Sequence, residues 1–264
     1  MTGHPVLAAR IMMTYPSPDA WVLRRAERES RIRLFCFPYA GGSAQIFRDW
    51  QDELPIEIEV NPVHLPGRGR RSREEPFTEL LHLAEVSAAA LSSHSERPYA
   101  LFGHSIGAIV AFEVARGLRR RGLPLPLYLF VSGCRAPHLS FTRHRTHDLP
   151  RAALIAKLRR LKGTPSPILE SPDMMQFFLP IIRADLQMID TYNYSAEAPL
   201  DCPISAFGGF QDFEETPEML AAWHEQTTSS FQLKMFAGDH FFLHSEHGPL
   251  LQTIFQQLIN VTSF

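Results

Sequence analysis

From about residue 31 onward, short apolar runs alternate with stretches of helical periodicity. Arg31-Ile-Arg-Leu-Phe-Cys-Phe37 reads as a first strand and the alternating Ile56-Glu-Ile-Glu-Val60 as a second. Residues 99–103, Leu127-Tyr-Leu-Phe-Val-Ser132, Pro203-Ile-Ser-Ala-Phe207 and Phe231-Gln-Leu-Lys-Met-Phe236 follow. Between them, helical spacing covers Gln45 to Leu54, then 77–94, 106–120, 215–226 and 248–259. Strands separated by helices predict an α/β chain, a mostly parallel central sheet flanked by helices. The rhythm breaks once. Between residues 133 and 193 no strand is predicted, and two helix-like stretches, 150–161 and 172–192, are joined by Gly163-Thr-Pro-Ser-Pro167. This predicts a helical lid inserted over 134–193, whose apolar residues Met174, Met175, Phe177, Phe178, Leu179, Ile181 and Ile182 suit either a channel wall or ordinary helix packing. No repeat or composition shift divides residues 1–264, so one domain is expected. Residues 1–30, with Tyr15-Pro-Ser-Pro-Asp19 and the charged run Arg24-Arg-Ala-Glu-Arg-Glu29, read as an irregular lead-in and a polar turn or short helix, with no role assigned.

The totals narrow the classes. A hydrophobic content of 45% in 264 residues is ample for a sizeable core, and a net charge of -2 gives no reason to expect nucleic acid or an anionic membrane as partner. The N-terminus lacks an apolar segment behind positive charge, and no run approaches the ~18 apolar residues of a membrane span, so a cytoplasmic protein is expected. Cys36, Cys134 and Cys202 lie far apart in or beside apolar runs, and no disulfide framework is expected. His240, His244 and His247 have helix-like spacing, but glycines bracket the segment and no metal motif accompanies it, so no metal is expected. Arg68, Arg70, Arg71 and Arg73 crowd one loop, which fits a solvated turn and a basic rim for an acidic partner about equally.

The chemistry centres on Gly103-His-Ser-Ile-Gly107, where an apolar run stops and helical spacing resumes. This is the G-x-S-x-G pattern, in which small flanking residues permit a tight strand-to-helix turn that exposes a serine hydroxyl. Ser105 is therefore the candidate nucleophile, with the unpaired N–H groups of the following helix behind it. His104 is expected to pack its ring beside the sheet. In α/β-hydrolases an acid and then a histidine follow the serine in the chain. The loop after strand 203–207 offers Asp212, and the loop after strand 231–236 offers His240. Asp239 is adjacent to His240 and poorly placed to reach its ring, and Asp201 precedes its strand. The glycine loop Pro38-Tyr-Ala-Gly-Gly-Ser-Ala44 exposes backbone N–H groups, so the amide of Tyr39 or Ala40 pairs with that of Ile106 as a candidate oxyanion hole, and Ser43 reads as a helix cap.

Over residues 32–260 the chain resembles the type II thioesterases that accompany polyketide and nonribosomal peptide synthases, which have the α/β-hydrolase fold. The resemblance is carried by Phe37-Pro-Tyr-Ala-Gly-Gly-Ser43, Leu65-Pro-Gly-Arg-Gly-Arg70, Gly103-His-Ser-Ile-Gly-Ala108, Leu179-Pro-Ile-Ile-Arg-Ala-Asp185, Gly208-Gly-Phe-Gln-Asp212 and Gly238-Asp-His-Phe-Phe242. It implies a triad of Ser105, Asp212 and His240, oxyanion amides from Ala40 and Ile106, and a helical lid over an acyl channel. It also implies hydrolysis of misloaded or stalled acyl groups from the phosphopantetheine arm of an acyl or peptidyl carrier protein, with no cofactor beyond the arm the substrate carries. On that reading Arg68, Arg70 and Arg71 are candidates for carrier docking, and the protein is expected to be a monomer. Two positions depart from the family: Phe213 stands where proline commonly follows the aspartate, and Asp239 where glycine commonly precedes the histidine. A carboxylesterase or acyltransferase on the same fold, and a non-catalytic carrier-binding subunit, are the alternatives.

Overall fold

In the computed structural model, which describes residues 18–22, 30–139 and 145–262, six strands form one sheet in the order β2-β1-β3-β4-β5-β6. They are β1 Ile32–Phe37, β2 Ile58–Pro62, β3 Tyr99–His104, β4 Tyr128–Ser132, β5 Ile204–Gly209 and β6 Phe231–Phe236. Every pairing between them is parallel. The central strands β3, β4 and β5 are buried along their whole length, as expected for a parallel sheet covered on both faces, and this is why they read as unbroken apolar runs. The edge strand β6 alternates instead between partly buried and exposed positions.

Two apolar cores lie on the two faces. One gathers the helices Leu80–Ser92 and Ile106–Arg120 with Trp21 and Trp223. The other gathers Phe47, Trp50 and Phe102 with the C-terminal helix His247–Thr262. A third, smaller cluster of Leu154, Leu169, Met175 and Leu179 lies among the helices inserted between β4 and β5. Those helices are Arg151–Leu161, Ser166–Glu170 and Pro172–Asp190. The chain returns to the sheet through a set of buried polar contacts on the helix Ile106–Arg120. Glu113 accepts from Arg116 at 2.6 Å and from the Tyr192 hydroxyl at 2.7 Å, and Arg116 also donates to the Ser195 carbonyl at 2.5 Å.

Local differences from the sequence expectation have physical causes. The helix expected over Gln45 to Leu54 is a 3-10 turn, Ala44–Phe47, followed by a short helix, Trp50–Glu53. Phe47 and Trp50 meet edge-on at 4.9 Å and both pack on Phe102, a three-residue spacing that a 3-10 turn satisfies as well as an α-helix does. The second strand begins two residues later than expected. The connection Gly163 to Pro167 contains the first residues of the short helix Ser166–Glu170, and the helix expected over 215–226 is Pro217–Ala221 plus a 3-10 extension, Ala222–Gln226. On the insertion's apolar face, Met175, Leu179, Ile181 and Ile182 are buried, while Met174 and Phe177 are exposed. The run Arg24 to Glu29 lies outside the described residues. No described helix is long and apolar enough to cross a membrane.

The arginine loop needs the largest correction. Arg68 is buried in an ion pair with Asp185, and Arg71 is buried between Glu74 and the face of Trp21, its guanidinium carbon 4.3 Å from the ring centre. Neither presents charge to a partner. Arg70 and Arg73 remain exposed, but no residue from 68 to 73 lines the cavity described below.

Candidate active site

The sheet order reverses between β1 and β3, so the chain leaves β1 toward β2 on one side and the connections from β3 run to the other. Loops at the carboxyl ends of these two strands diverge there and leave a crevice, the usual binding position in open α/β sheets. Pro38–Ser43 and Ser105 border it.

Ser105 has φ 55 and ψ -127, one of two described non-glycine residues with positive φ. A conformation of this kind costs on the order of 1–3 kcal/mol and persists only when its surroundings impose it. The imposition is visible. The Ser105 amide donates to the Ser132 carbonyl at 2.7 Å across the β3–β4 edge, and the Ser105 carbonyl accepts from Ala108 at 2.9 Å as the helix begins. A Cβ on Gly103 would run into the Gly107 carbonyl, and one on Gly107 into the Phe37 carbonyl, so both glycines are required by backbone approach.

His240 and Asp212 arrive from the loops after β6 and β5. Those loops are tied together by Phe210 N–H to the Phe236 carbonyl and Gln211 N–H to the Gly238 carbonyl, both 2.9 Å. The His240 Nδ1–H donates to Asp212 Oδ2 at 2.7 Å, since an ionised carboxylate can only accept. The second oxygen of Asp212 accepts from the amides of Glu214 at 2.9 Å and Glu215 at 3.3 Å. Burial pushes the Asp212 carboxyl pKa up, but its bonds to His240 and to these two amides outweigh that and hold it below the ordinary carboxylate value. Burial likewise pulls His240 down, and the hydrogen bond and charge of Asp212, aided by Glu215 and Glu214, hold it above 6.5.

Beside them, His104 is fully buried, its Nδ1 2.9 Å from the Ser132 hydroxyl and its ring 5.4 Å from that of His240. Burial lowers its pKa well below the ordinary histidine value, and the neighbouring His240 lowers it further, so it stays neutral. The other histidines near the crevice are engaged elsewhere: His244 Nε2 lies 3.0 Å from the Tyr39 hydroxyl, and His247 Nε2 2.9 Å from Glu53. Asp239 accepts from the Phe241 amide at 3.0 Å and faces Lys162 at 3.8 Å, so it does not partner His240. Ser43 accepts from the Gln45 amide as a cap, at 3.3 Å.

Ser105 and His240 open into a cavity of about 410 Å³ that Tyr39, Ala40 and Ile106 also line. Its far wall comes from the inserted helices, through apolar residues such as Leu158, Ile182 and Leu186 and through Lys157 and Arg160. Of the residues singled out in the sequence, Ser105, His240, Asp212, Ala40 and Ile106 are thus brought to one place. Sequence reasoning missed Arg135 and Glu215. The Arg135 amide and Nε donate to Glu215 at 3.0 Å beside the cavity, and burial pushes the Glu215 carboxyl up to about 7 against the pull of Arg135. The available signal was their position, since both follow strand ends and Glu215 comes three residues after Asp212.

The model of the family described as "Thioesterase domain" matches residues 32–258. Among known proteins, the chain is 44% identical over 245 residues to "Linear gramicidin dehydrogenase LgrE" of Brevibacillus parabrevis, covering 91% of this chain and 93% of that one. It is 41% identical to "Gramicidin S biosynthesis protein GrsT" of Aneurinibacillus migulanus, covering 87% and 90%. Among solved structures, the RedJ thioesterase from the prodiginine biosynthetic pathway of Streptomyces coelicolor superposes with a TM-score of 0.83 at 43% identity, covering 91% of this chain and 99% of that one.

Proposed function

The chain belongs to the thioesterase family, and on that premise we propose that it is a type II thioesterase that clears misloaded or stalled acyl groups from the phosphopantetheine arm of carrier proteins in nonribosomal peptide or polyketide assembly. The observation that carries the reading is that His240, bonded to Asp212 at 2.7 Å, shares a cavity with a serine held at positive φ on a strand-to-helix turn.

In this reading Ser105 Oγ attacks the thioester carbon while His240 Nε2 takes its proton. The oxyanion is met by the amides of Ala40 and Ile106, the latter at the positive end of a 15-residue helix. The carbon–sulfur bond breaks, and the arm's thiol leaves with the proton from His240. Water then attacks the acyl-Ser105 ester, giving its proton to His240, and the carboxylic acid is released as Ser105 regains its proton. Asp212 keeps the His240 proton on Nδ1, so that Nε2 is free to accept. The relative named as a dehydrogenase raises a different chemistry, but the loop after β1 here, Pro38-Tyr-Ala-Gly-Gly-Ser43, does not carry the G-x-G-x-x-G spacing of dinucleotide sites.

Because neutral His240 is the base, kcat/KM should rise with pH and level off around a midpoint above 6.5, the side on which Asp212 holds this histidine. A pH–rate profile with short thioesters checks this, and a midpoint at or below 6.5 contradicts it.

Carrier approach is better served by the helix Arg151–Leu161 than by the arginine loop. With Lys162 after it, this segment carries Arg151, Lys157, Arg159, Arg160 and Lys162 and no acidic residue; Lys157 and Arg160 turn to the cavity and to Glu214, at 3.1 and 4.0 Å, and Lys162 to Asp239, which leaves Arg151 and Arg159 exposed outside the cavity. Exposed charge of this kind acts mainly on association and is screened by salt. Arg151→Gln with Arg159→Glu should lower kcat/KM for a carrier-bound acyl group about tenfold at low salt, with the loss shrinking as salt is added. Turnover of an acyl-N-acetylcysteamine should stay within about twofold. Equal losses on both substrates would assign these side chains to the packing of the inserted helices instead.

A further inference from the structure

The two sequence motifs that the triad does not use, Leu65 to Arg70 and Leu179 to Asp185, meet in one buried contact. Arg68 forks onto Asp185, with Nη1 donating to Oδ2 at 2.5 Å and Nη2 to Oδ1 at 2.7 Å, and both side chains are almost wholly buried. The pair is aimed at the turn beside the crevice. The Gly41 amide donates to Asp185 Oδ2 at 2.7 Å, and Arg68 Nη1 also donates to the Gly42 carbonyl at 3.2 Å. The turn itself is closed by the Gly42 amide on the Tyr39 carbonyl at 2.9 Å. One helical turn before Asp185, Ile182 packs so closely that a Cβ on Gly41 would lie 2.7 Å from its Cγ1. Three polar bonds and one steric stop therefore fix the turn from Tyr39 to Gly42, and the Tyr39 carbonyl held by Gly42 shares its peptide unit with the Ala40 amide.

We propose that Asp185 and Arg68 form a positioning pair that sets the direction of the Ala40 amide toward the developing oxyanion. This rests on the reading above that the Ala40 amide belongs to the oxyanion hole. The charges have separate duties. Asp185 supplies the acceptor that orients the turn, and Arg68 cancels a buried negative charge that would otherwise oppose negative charge developing on a substrate oxygen at the Ala40 amide. A pair kept only for stability would move the melting temperature and leave kcat of the folded variants unchanged, whereas this one moves kcat. Removing Arg68 leaves the harmful charge in place, and removing both charges takes it away.

The experiment is kinetics on an acyl-N-acetylcysteamine with the full chain, comparing Asp185→Leu, Arg68→Met and the double variant Arg68→Met with Asp185→Asn. Asp185→Leu, which removes the acceptor for the Gly41 amide, should lower kcat ten- to a hundredfold with KM within about twofold. Arg68→Met should lower kcat further, and adding Asp185→Asn to it should recover at least tenfold. The far-downfield proton signal of the His240–Asp212 hydrogen bond should persist in each folded variant, placing the loss outside the triad. Should Arg68→Met fail to fold, Arg68→Lys keeps the charge but not the fork, and should cost kcat three- to tenfold at unchanged KM. An unchanged kcat in Asp185→Leu, or a double variant no better than Arg68→Met, overturns the proposal while Ser105→Ala remains inactive. Turnover surviving in Ser105→Ala instead overturns the catalytic reading beneath it.

Discussion

Ser105→Ala should reduce thioester turnover by on the order of 10⁴- to 10⁶-fold while leaving the melting temperature almost unchanged. The activity loss follows from the roles, because without Oγ no acyl-enzyme forms, and water must attack directly with only the oxyanion amides to help. The unchanged stability follows from the backbone. Alanine inherits the same φ of 55 as serine, and no side-chain hydrogen bond caps the helix at this position. Ser105→Gly separates the two quantities further. It removes the same hydroxyl but tolerates positive φ, so it should be equally inactive and more stable by about 1 kcal/mol, a rise of roughly 2 °C. Thermal melts beside rate measurements read both. A Ser105→Ala protein that still hydrolyses the substrate would remove this serine from the mechanism.

Asp212→Asn should cost about 10⁴-fold in kcat, far more than Asp239→Asn. The geometry dictates which way the new amide faces. Asp212 Oδ1 is held by the Glu214 and Glu215 amides, which need an oxygen, so the asparagine must turn its NH₂ toward His240 Nδ1. Nδ1 then becomes the acceptor and the ring proton moves to Nε2, where it blocks uptake of the serine proton. Asp239 accepts one bond from the Phe241 amide, which an asparagine oxygen can also accept, so Asp239→Asn should cost less than tenfold. Single-turnover rates for the two variants decide between them, and the reverse order would make Asp239 the functional acid.

These residues were legible in the sequence because their signals are local. A glycine-flanked serine between an apolar run and a helix, and polar residues in glycine loops after the last two strands, identify strand ends without knowledge of what faces them. Pairing is another matter. The charge run Arg68 to Arg73 looks uniform, yet its members differ by what lies across from them, and the partner of Arg68 is 117 positions away in the chain. Arg135 and Glu215 are 80 apart and carry no spacing that joins them. The broken helix at 44–53 failed for the opposite reason, because two ring contacts at three-residue spacing fit both kinds of helix.

The small cluster of Leu154, Leu169, Met175 and Leu179 shares no residue with the two cores of the sheet. Four side chains of this size contribute roughly 1.5–3 kcal/mol each before the entropy of ordering the helices is subtracted, a small share of what holds the sheet together. The helices Arg151–Leu161 and Ser166–Glu170 therefore open at lower cost than Pro172–Asp190, which Asp185 and Met188 tie to the rest of the chain. Leu158 and Leu186 pack against this cluster and also line the cavity. Substitutions there reshape the space offered to an acyl chain without disturbing Ser105, His240 or Asp212. For evolution, this makes substrate range a trait that can drift independently of catalytic competence, with one sheet serving many acyl groups through changes confined to some forty residues.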